Sequence, residues 1–391
     1  MHNLLKNERK PINGKQRDSN FELYRVITMF LIVMHHYVVN SGLLAADGPV
    51  FSNALSVKSM GLLLAGAWGK IGINCFVLIT GYFMCKSKIT LKKYIKLLLT
   101  VMFYNIVINC VFWVTGYAPF NLLGLVKAFL PVQNIGSGFT SAYLVFFLLI
   151  PFLNILIANM KEKQHIYLLI LFGFLYVFLE TVPLFSVKMN YVSWFAVLYA
   201  LAAYLRIYPK PLFENRRFWT WATIMTVAVS ACSVVACSIL GARMQKNIAY
   251  YFVTDANTLL AVCVALSSFL LVKNVKIPYS RLINDLGATT FGILLIHANS
   301  DTMRQWLWVD LLDCVGAYAK SWLPLHVIGS CLLIFAVCAA IEHLRLRLIE
   351  APLFAFWDRY EKKSILAFQK LEDKICKHLH IAQDSSEQEE T

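Results

Sequence analysis

Charged residues are scarce in this chain of 391 residues. Asp, Glu, Lys and Arg together make up 15 % of it, whereas apolar residues make up 59 % and the mean hydropathy is +0.61. A soluble globular protein typically carries about 25 % charged residues, which cover its surface. The shortage of charge excludes a water-soluble globular protein of this size and indicates a membrane protein.

Other patterns are also missing. The ten cysteines include no C-x-x-C pair and lie mostly within apolar runs, which favours reduced, structural cysteines and no bound metal. Basic residues form short clusters without a nucleic-acid-binding motif, so we expect no nucleic-acid partner. No small-residue cleavage site closes the first apolar run, which we therefore expect to be a permanent span and not a signal peptide.

The apolar runs predict the fold class. A helix needs about 20 apolar residues to cross a bilayer, and counting such runs predicts an all-α, polytopic membrane protein with about ten transmembrane helices. The predicted spans are approximately 21–44, 59–85, 93–116, 140–159, 165–182, 190–207, 218–240, 249–272, 286–299 and 323–346.

Connections rich in Lys and Arg alternate with connections that contain few of them along this series. Connection 45–58 contains only Lys58, whereas the next contains Lys86, Lys88, Lys92, Lys93 and Lys96. Because basic residues concentrate in cytoplasmic loops, we expect both termini in the cytoplasm and a multi-pass protein of the cell (plasma or inner) membrane.

The chain divides into three predicted parts. Residues 1–20 form a cytoplasmic basic tail, and residues 21–347 form the transmembrane domain. In 348–391, aromatic and aliphatic residues recur among charges at near-helical spacing, which predicts a cytoplasmic amphipathic helix on the membrane lipids, followed by a disordered tail. The sequence does not indicate an oligomeric state.

Polar residues in the first span form a stripe. Arg25 and His36 are eleven residues apart, which places them on one helix face about 16 Å apart along the axis. Glu22 and Asn40 extend this stripe, while His35 points about 100° away. Ionisable groups within a span are costly and are candidates for function.

Two interpretations of this stripe are open. Histidine takes and gives protons near neutral pH, so His36 is a candidate catalytic base, with Arg25 and His35 supporting it. Alternatively, His36 is a neutral structural histidine and Arg25 an interfacial anchor. Lys93 and Lys96, one helical turn apart, either set the topology or bind an anionic ligand at the inner face.

The stretch LYRVITMFLIVMHHY, which contains Arg25 and His36, resembles the first span of acyltransferase family 3, the integral-membrane acyltransferases. Later stretches are similar to segments of that family in the same order, across about 21–353. They are KIGINCFVLITGYF, SAYLVFFLLIPFLN, WFAVLYALAAYLR, TFGILLIHANSD and IEHLRLRLIEAPL. The chain most resembles the bacterial surface-polysaccharide O-acetyltransferases. It departs from the family where an arginine pair often follows the second span, because Lys93 and Lys96 stand there.

The resemblance implies an O-acetyltransferase that takes acetyl-CoA as co-substrate and a glycan hydroxyl as acceptor. Lys93, Lys96 and Arg25 would hold the donor, and His36 would act as general base or as a transient acetyl carrier. His297 would position the acceptor from the outer side or have a structural role. Glu180, Asp255 and Glu342 are candidate carboxylate partners of His36.

One rival function is a secondary transporter or a lipid or glycan flippase, which also needs polar groups within a helix bundle. No inverted repeat and no pair of broken helices, which are typical of transporters, is evident in the sequence. A catalytically inactive scaffold is a third hypothesis, which the presence of Arg25 and His36 disfavours.

Overall fold

A computed structural model describes residues 18–132, 135–136, 138–182, 184–185, 190–358, 360, 371 and 374. Within these residues the regular structure is helical throughout, with no β-strand. The α-helices are α1 Ser19–Val39, α2 Pro49–Ser52, α3 Val57–Gly66, α4 Gly69–Met84, α5 Leu91–Val114, α6 Leu122–Phe129, α7 Phe139–Ala158, α8 Glu162–Phe172, α9 Leu179–Thr181, α10 Tyr191–Ile207, α11 Arg216–Met244, α12 Leu259–Lys273, α13 Arg281–His297, α14 Asp301–Arg304, α15 Cys314–Tyr318 and α16 Leu323–Arg345. Short turns of other helix types cover Gly173–Phe178, Pro211–Glu214, Gln305–Leu311 and Leu346–Glu350.

This architecture confirms the predicted all-α membrane fold. Each predicted span contains a helix, and α10 and α12 are shorter apolar helices. The number of spans and the cytoplasmic location of the termini stay predictions. Among the described residues, seven helical stretches are long and apolar enough to cross a membrane: Ser19–Val39, Val57–Met84, Leu91–Val114, Phe139–Ala158, Glu162–Thr181, Arg216–Met244 and Leu323–Asp358.

Two predicted span starts were wrong, and the first span, expected to reach residue 44, ends as a helix at Val39. The span expected to begin at residue 249 begins as a helix only at Leu259, because Asp255 and Thr258 close a turn before it. The Asp255 carbonyl accepts the Thr258 hydroxyl at 2.9 Å. The span expected at 286 begins earlier, at Arg281, because the Ser280 hydroxyl caps the helix by accepting the Ile283 N–H.

The chain forms two compact units, Met1–Ala339 and Ala340–Thr391. The domain bounds expected at residues 20 and 347 stay predictions. The predicted amphipathic helix in 348–391 lies for the most part outside the described residues, as does the predicted basic tail up to residue 17.

A buried ion cluster stabilises the described part of the second unit. Arg345 donates to both oxygens of Glu342, at 2.6 and 2.8 Å, and to Glu350 at 2.8 Å. Glu342 holds the guanidinium in a bidentate arrangement, which is the stronger form of such pairs. Glu342, a predicted candidate partner of His36, is therefore paired with Arg345.

In the first unit, α1 packs against α3, α4, α12 and α13. The side chains of Val33, Tyr37 and Val38 are completely buried. Glycines on α4 permit its close approach to its neighbours, as is common between membrane helices. At Gly72 a Cβ would lie 2.7 Å from Ile32 of α1. These contacts hold the polar stripe of α1 inside the helix bundle.

Replacing Gly81 with alanine is expected to destabilise the packing of α4 against α10. The added Cβ would lie 2.8 Å from Ala202 Cβ and 3.0 Å from Tyr199 Cα, and a backbone atom cannot turn aside. Overpacking typically costs about 1–3 kcal/mol, so the unfolding temperature in detergent should fall. The control Gly61→Ala has no atom within 4 Å of its Cβ and should be neutral or slightly stabilising. Equal unfolding temperatures for the two variants would contradict this packing.

Single cysteines at exposed loop positions test the predicted orientation. Asp47→Cys and Lys320→Cys lie in connections predicted to be outside, whereas Lys88→Cys lies in one predicted to be inside. On intact cells, a membrane-impermeant maleimide should label the first two above the wild-type background and Lys88→Cys only after permeabilisation. Labelling of Lys88→Cys on intact cells would show that the predicted orientation is inverted.

Candidate active site

A polar cavity of about 630 Å³ opens at one end of the first unit. It lies where α1, α5 and α13 end and where α4, α7 and α10 begin. We call this the histidine end of the bundle, because His35 and His36 line the cavity there. The other polar side chains of the lining are Asn40, Lys70, Asn105, Asn109, Lys127, Thr140, Ser141, Tyr191, Asn299, Ser300 and Arg304.

His36 is held by a hydrogen-bond chain that begins at a backbone carbonyl. His297 Nδ1 lies 2.6 Å from the Ile293 carbonyl oxygen, and His297 Nε2 lies 2.9 Å from His36 Nδ1. A carbonyl oxygen only accepts, so His297 carries its proton on Nδ1 and accepts at Nε2 in the neutral form. His36 must then donate from Nδ1, which leaves the lone pair on its Nε2.

That lone pair is available to a ligand. Within the described residues, His36 Nε2 has no hydrogen-bond partner, and the ring lines the cavity. His297 is completely buried behind it and does not line the cavity. The partner of His36 in this unit is therefore a second histidine and not one of the predicted carboxylates. Its position 261 residues away gave no local signal in the sequence.

His35 is fixed by the break between α3 and α4. Its Nδ1 lies 2.5 Å from the carbonyl oxygen of Gly66, the last residue of α3. A Cβ at Gly69, the first residue of α4, would overlap the imidazole ring. The glycine is needed for this close approach. His35 therefore lines the cavity next to His36 while it ties α1 to the α3–α4 turn.

Basic side chains give the cavity a positive character. Lys70 donates to the Tyr191 hydroxyl at 3.0 Å and lies 4.0 Å from Asp255. Arg304 pairs with Asp301 at 2.8 Å. No Asp or Glu belongs to the described lining of the cavity. These basic residues were not among the predicted site residues, because nothing local in the sequence relates them to His36.

The amide side chains on α5 were also missed. Asn105 and Asn109 are one helical turn apart in the otherwise apolar second half of this helix, and both line the cavity. This i, i+4 pair was a recognisable signal, since residues at that spacing lie on one helix face. Polar side chains that share a face within a span mark the interior of a bundle.

The other predicted site residues lie toward the opposite end of the helices. Arg25 is near the start of α1, about 16 Å from His36 along the axis, and its Nε lies 4.0 Å from Glu22. Lys93 and Lys96 are in the first turns of α5, and Lys93 donates to the Lys88 carbonyl at 2.7 Å. Arg25, Lys93 and Lys96 are not among the described residues that line the cavity.

The arrangement suits proton transfer from a bound hydroxyl group. A neutral imidazole with a free lone pair lies in a cavity rich in hydrogen-bonding groups, which is what a general base requires. Hydroxyl and amide side chains of the lining can hold a polar ligand, and the basic ones favour negative charge near the base.

Comparisons with known proteins identify the family of the chain. A family model described as "Acyltransferase domain" matches residues 18–343. No curated protein and no solved structure matches the chain. The match covers most of the chain, including every cavity-lining residue, so the protein belongs to acyltransferase family 3 and is an integral-membrane acyltransferase.

Proposed function

We propose that the protein transfers an acetyl group from cytoplasmic acetyl-CoA to a hydroxyl group of a cell-surface or lipid-linked glycan, in the cell membrane. The observation that carries this proposal is the free Nε2 lone pair of His36, which the chain from Ile293 through His297 fixes in a polar cavity. Membership of acyltransferase family 3 supplies the reaction class.

In the proposed reaction, His36 Nε2 accepts the proton of the acceptor hydroxyl as its oxygen attacks the thioester carbonyl. The new C–O bond forms, the C–S bond breaks, and the leaving thiolate takes the proton back from His36. His297 is a positioning residue, because it accepts from His36 Nδ1 in both the neutral and the charged form of His36. The alternative of acetyl transfer to Nε2 itself would produce a covalent intermediate.

The proposed donor site combines both ends of the bundle. The phosphates of coenzyme A would bind near Lys93, Lys96 and Arg25, where the predicted topology places the cytoplasm. The long, flexible pantetheine arm would then carry the thioester along the bundle toward His36. Arg25 lies on the same α1 face as His36, about 16 Å before it, so this face marks the proposed path.

The proposed acceptor enters at the histidine end, which the predicted topology places outside. Sugars present many hydroxyl groups, and the cavity offers matching amide and hydroxyl side chains, including Asn40, Thr140 and Ser141. The predicted contact of the acceptor with His297 is replaced in this proposal, because His297 is completely buried. Side chains that line the cavity would contact the acceptor instead.

Transport without chemistry is the competing proposal. A flippase would also contain a polar cavity between helices, but it requires no fixed base. Purified protein in detergent separates the two, because an acyltransferase should slowly hydrolyse acetyl-CoA when water replaces the acceptor. A transporter should leave acetyl-CoA intact.

His36→Gln is expected to reduce acetyl transfer about 10²–10⁴-fold, the usual contribution of a positioned general base. Glutamine keeps polarity and similar size, so the variant should insert and purify normally. The matched control His35→Gln changes the neighbouring histidine and should cost much less. Transfer rates are measured by mass spectrometry of the acetylated acceptor. Normal transfer by well-folded His36→Gln would show that the histidine is structural.

Charge reversal at Lys93 and Lys96 is expected to weaken acetyl-CoA binding at least about tenfold, since hydrogen bonds to charged groups contribute about 1.5–3 kcal/mol. The control Lys163→Glu reverses an exposed charge near the start of α8 and should bind the donor normally. Affinity is measured by titration calorimetry in detergent. Unchanged affinity in the double variant would mean that this pair sets topology alone.

A further inference from the structure

Asn105 is oriented by a second hydrogen-bond chain from α13. Asn299 Nδ2 donates to the Leu295 carbonyl at 3.1 Å and to Asn105 Oδ1 at 3.0 Å. Because a carbonyl accepts and never donates, the bond to Leu295 fixes which end of the Asn299 amide faces it. The contact with Asn299 then requires the oxygen of Asn105, and not its nitrogen, to face Asn299.

The amide nitrogen of Asn105 therefore does not take part in this contact. Its Nδ2 carries two hydrogens and has no acceptor within the described residues, while the side chain lines the same cavity as His36. The neighbouring Asn109 differs, because its Nδ2 donates to the Asn105 backbone carbonyl at 2.7 Å. Asn105 thus supplies uncommitted N–H donors in a cavity where donors are otherwise partly engaged.

Both hydrogen-bond chains begin at backbone carbonyls of α13. Carbonyls of Ile293 and Leu295, both near the end of α13, determine the orientation of His36 and Asn105 through His297 and Asn299. One chain presents a lone pair and the other presents N–H groups. A base and a preoriented donor in one cavity are the two elements that acyl transfer needs, because negative charge develops on the acyl oxygen.

We propose that Asn105 Nδ2 donates a hydrogen bond to the acyl oxygen of the donor thioester and stabilises the oxyanion of the tetrahedral intermediate. This inference rests on the proposed acetyl transfer. When the hydroxyl oxygen attacks, the carbonyl π electrons move to the acyl oxygen and the hydroxyl proton moves to His36 Nε2. Collapse restores the carbonyl, expels the thiolate and returns the proton to it. Asn299 is the positioning residue of Asn105.

The proposal assigns Asn105 to the acyl group of the donor and not to the acceptor. Hydrolysis and transfer pass through an oxyanion on the same acyl carbon, so loss of its donor should slow both reactions equally. Loss of an acceptor-binding group should slow only transfer to the sugar. Because the donor acts mainly on the transition state, kcat should fall while the KM for acetyl-CoA stays nearly constant.

The experiment compares Asn105→Asp with the matched control Asn159→Asp in the purified full chain. Asn159 is exposed after the end of α7 and does not line the cavity, and its Nδ2 donates to the Ile155 carbonyl at 2.8 Å. Aspartate at 105 can still accept from Asn299 but has no N–H to donate. Two readouts are measured: acetyl-CoA hydrolysis, and acetylation of octyl glucoside as a soluble hydroxyl acceptor. We expect Asn105→Asp to lower kcat of both about 10²–10³-fold, the usual effect of removing one oxyanion donor, and Asn159→Asp to leave both nearly unchanged.

Further variants keep the test decisive if aspartate disturbs folding. Asn105→Ala removes the donor without adding charge and should show the same equal loss, and Asn299→Ala should show a smaller loss of the same pattern. Loss of transfer with normal hydrolysis in Asn105→Ala would overturn the proposal, as would unchanged kcat. Wild-type protein that neither hydrolyses acetyl-CoA nor acetylates the glucoside would instead overturn the proposed function, and this inference with it.

Discussion

The hydrogen bond from His297 Nδ1 to the Ile293 carbonyl is the constraint on which the site depends. It determines which nitrogen of His297 accepts, and therefore which nitrogen of His36 keeps a lone pair. With the opposite tautomer the carbonyl would lose this donor, and two lone pairs would face each other inside the bundle. Complete burial of His297 excludes water as a substitute partner, and an unpaired buried group is costly.

Backbone carbonyls near helix ends orient polar side chains at three positions of the site. Gly66 at the end of α3 holds His35, and carbonyls near the end of α13 orient His297 and Asn299. A carbonyl oxygen has two lone pairs, so it can accept from a side chain even where it also accepts from the helix backbone. The cavity lies where several helices end or begin, so its polar groups are oriented by backbone that is itself fixed by packing.

His36 lies toward one end of the helices, whereas Arg25 and Lys93 lie toward the other. Arg25 and Lys93 lie near the first turns of their helices, whereas His36 lies near the end of α1. The sequence already predicted the common face and the spacing of Arg25 and His36, because both follow from one helix. It did not predict that Lys70 and Arg304 share the histidine end, since these residues come from other segments.

The sequence alone determined the all-α membrane fold and the polar stripe of α1, because apolarity and helical spacing are properties of a continuous segment. It misplaced the start of α12, where apolar residues before Leu259 form turns. Only the tertiary structure brought His36 to His297, 261 residues away, and Asn105 to Asn299, 194 residues away. Those pairings arise from the packing of α1 and α5 against α13. The sequence of a single segment does not determine the distance between two helices.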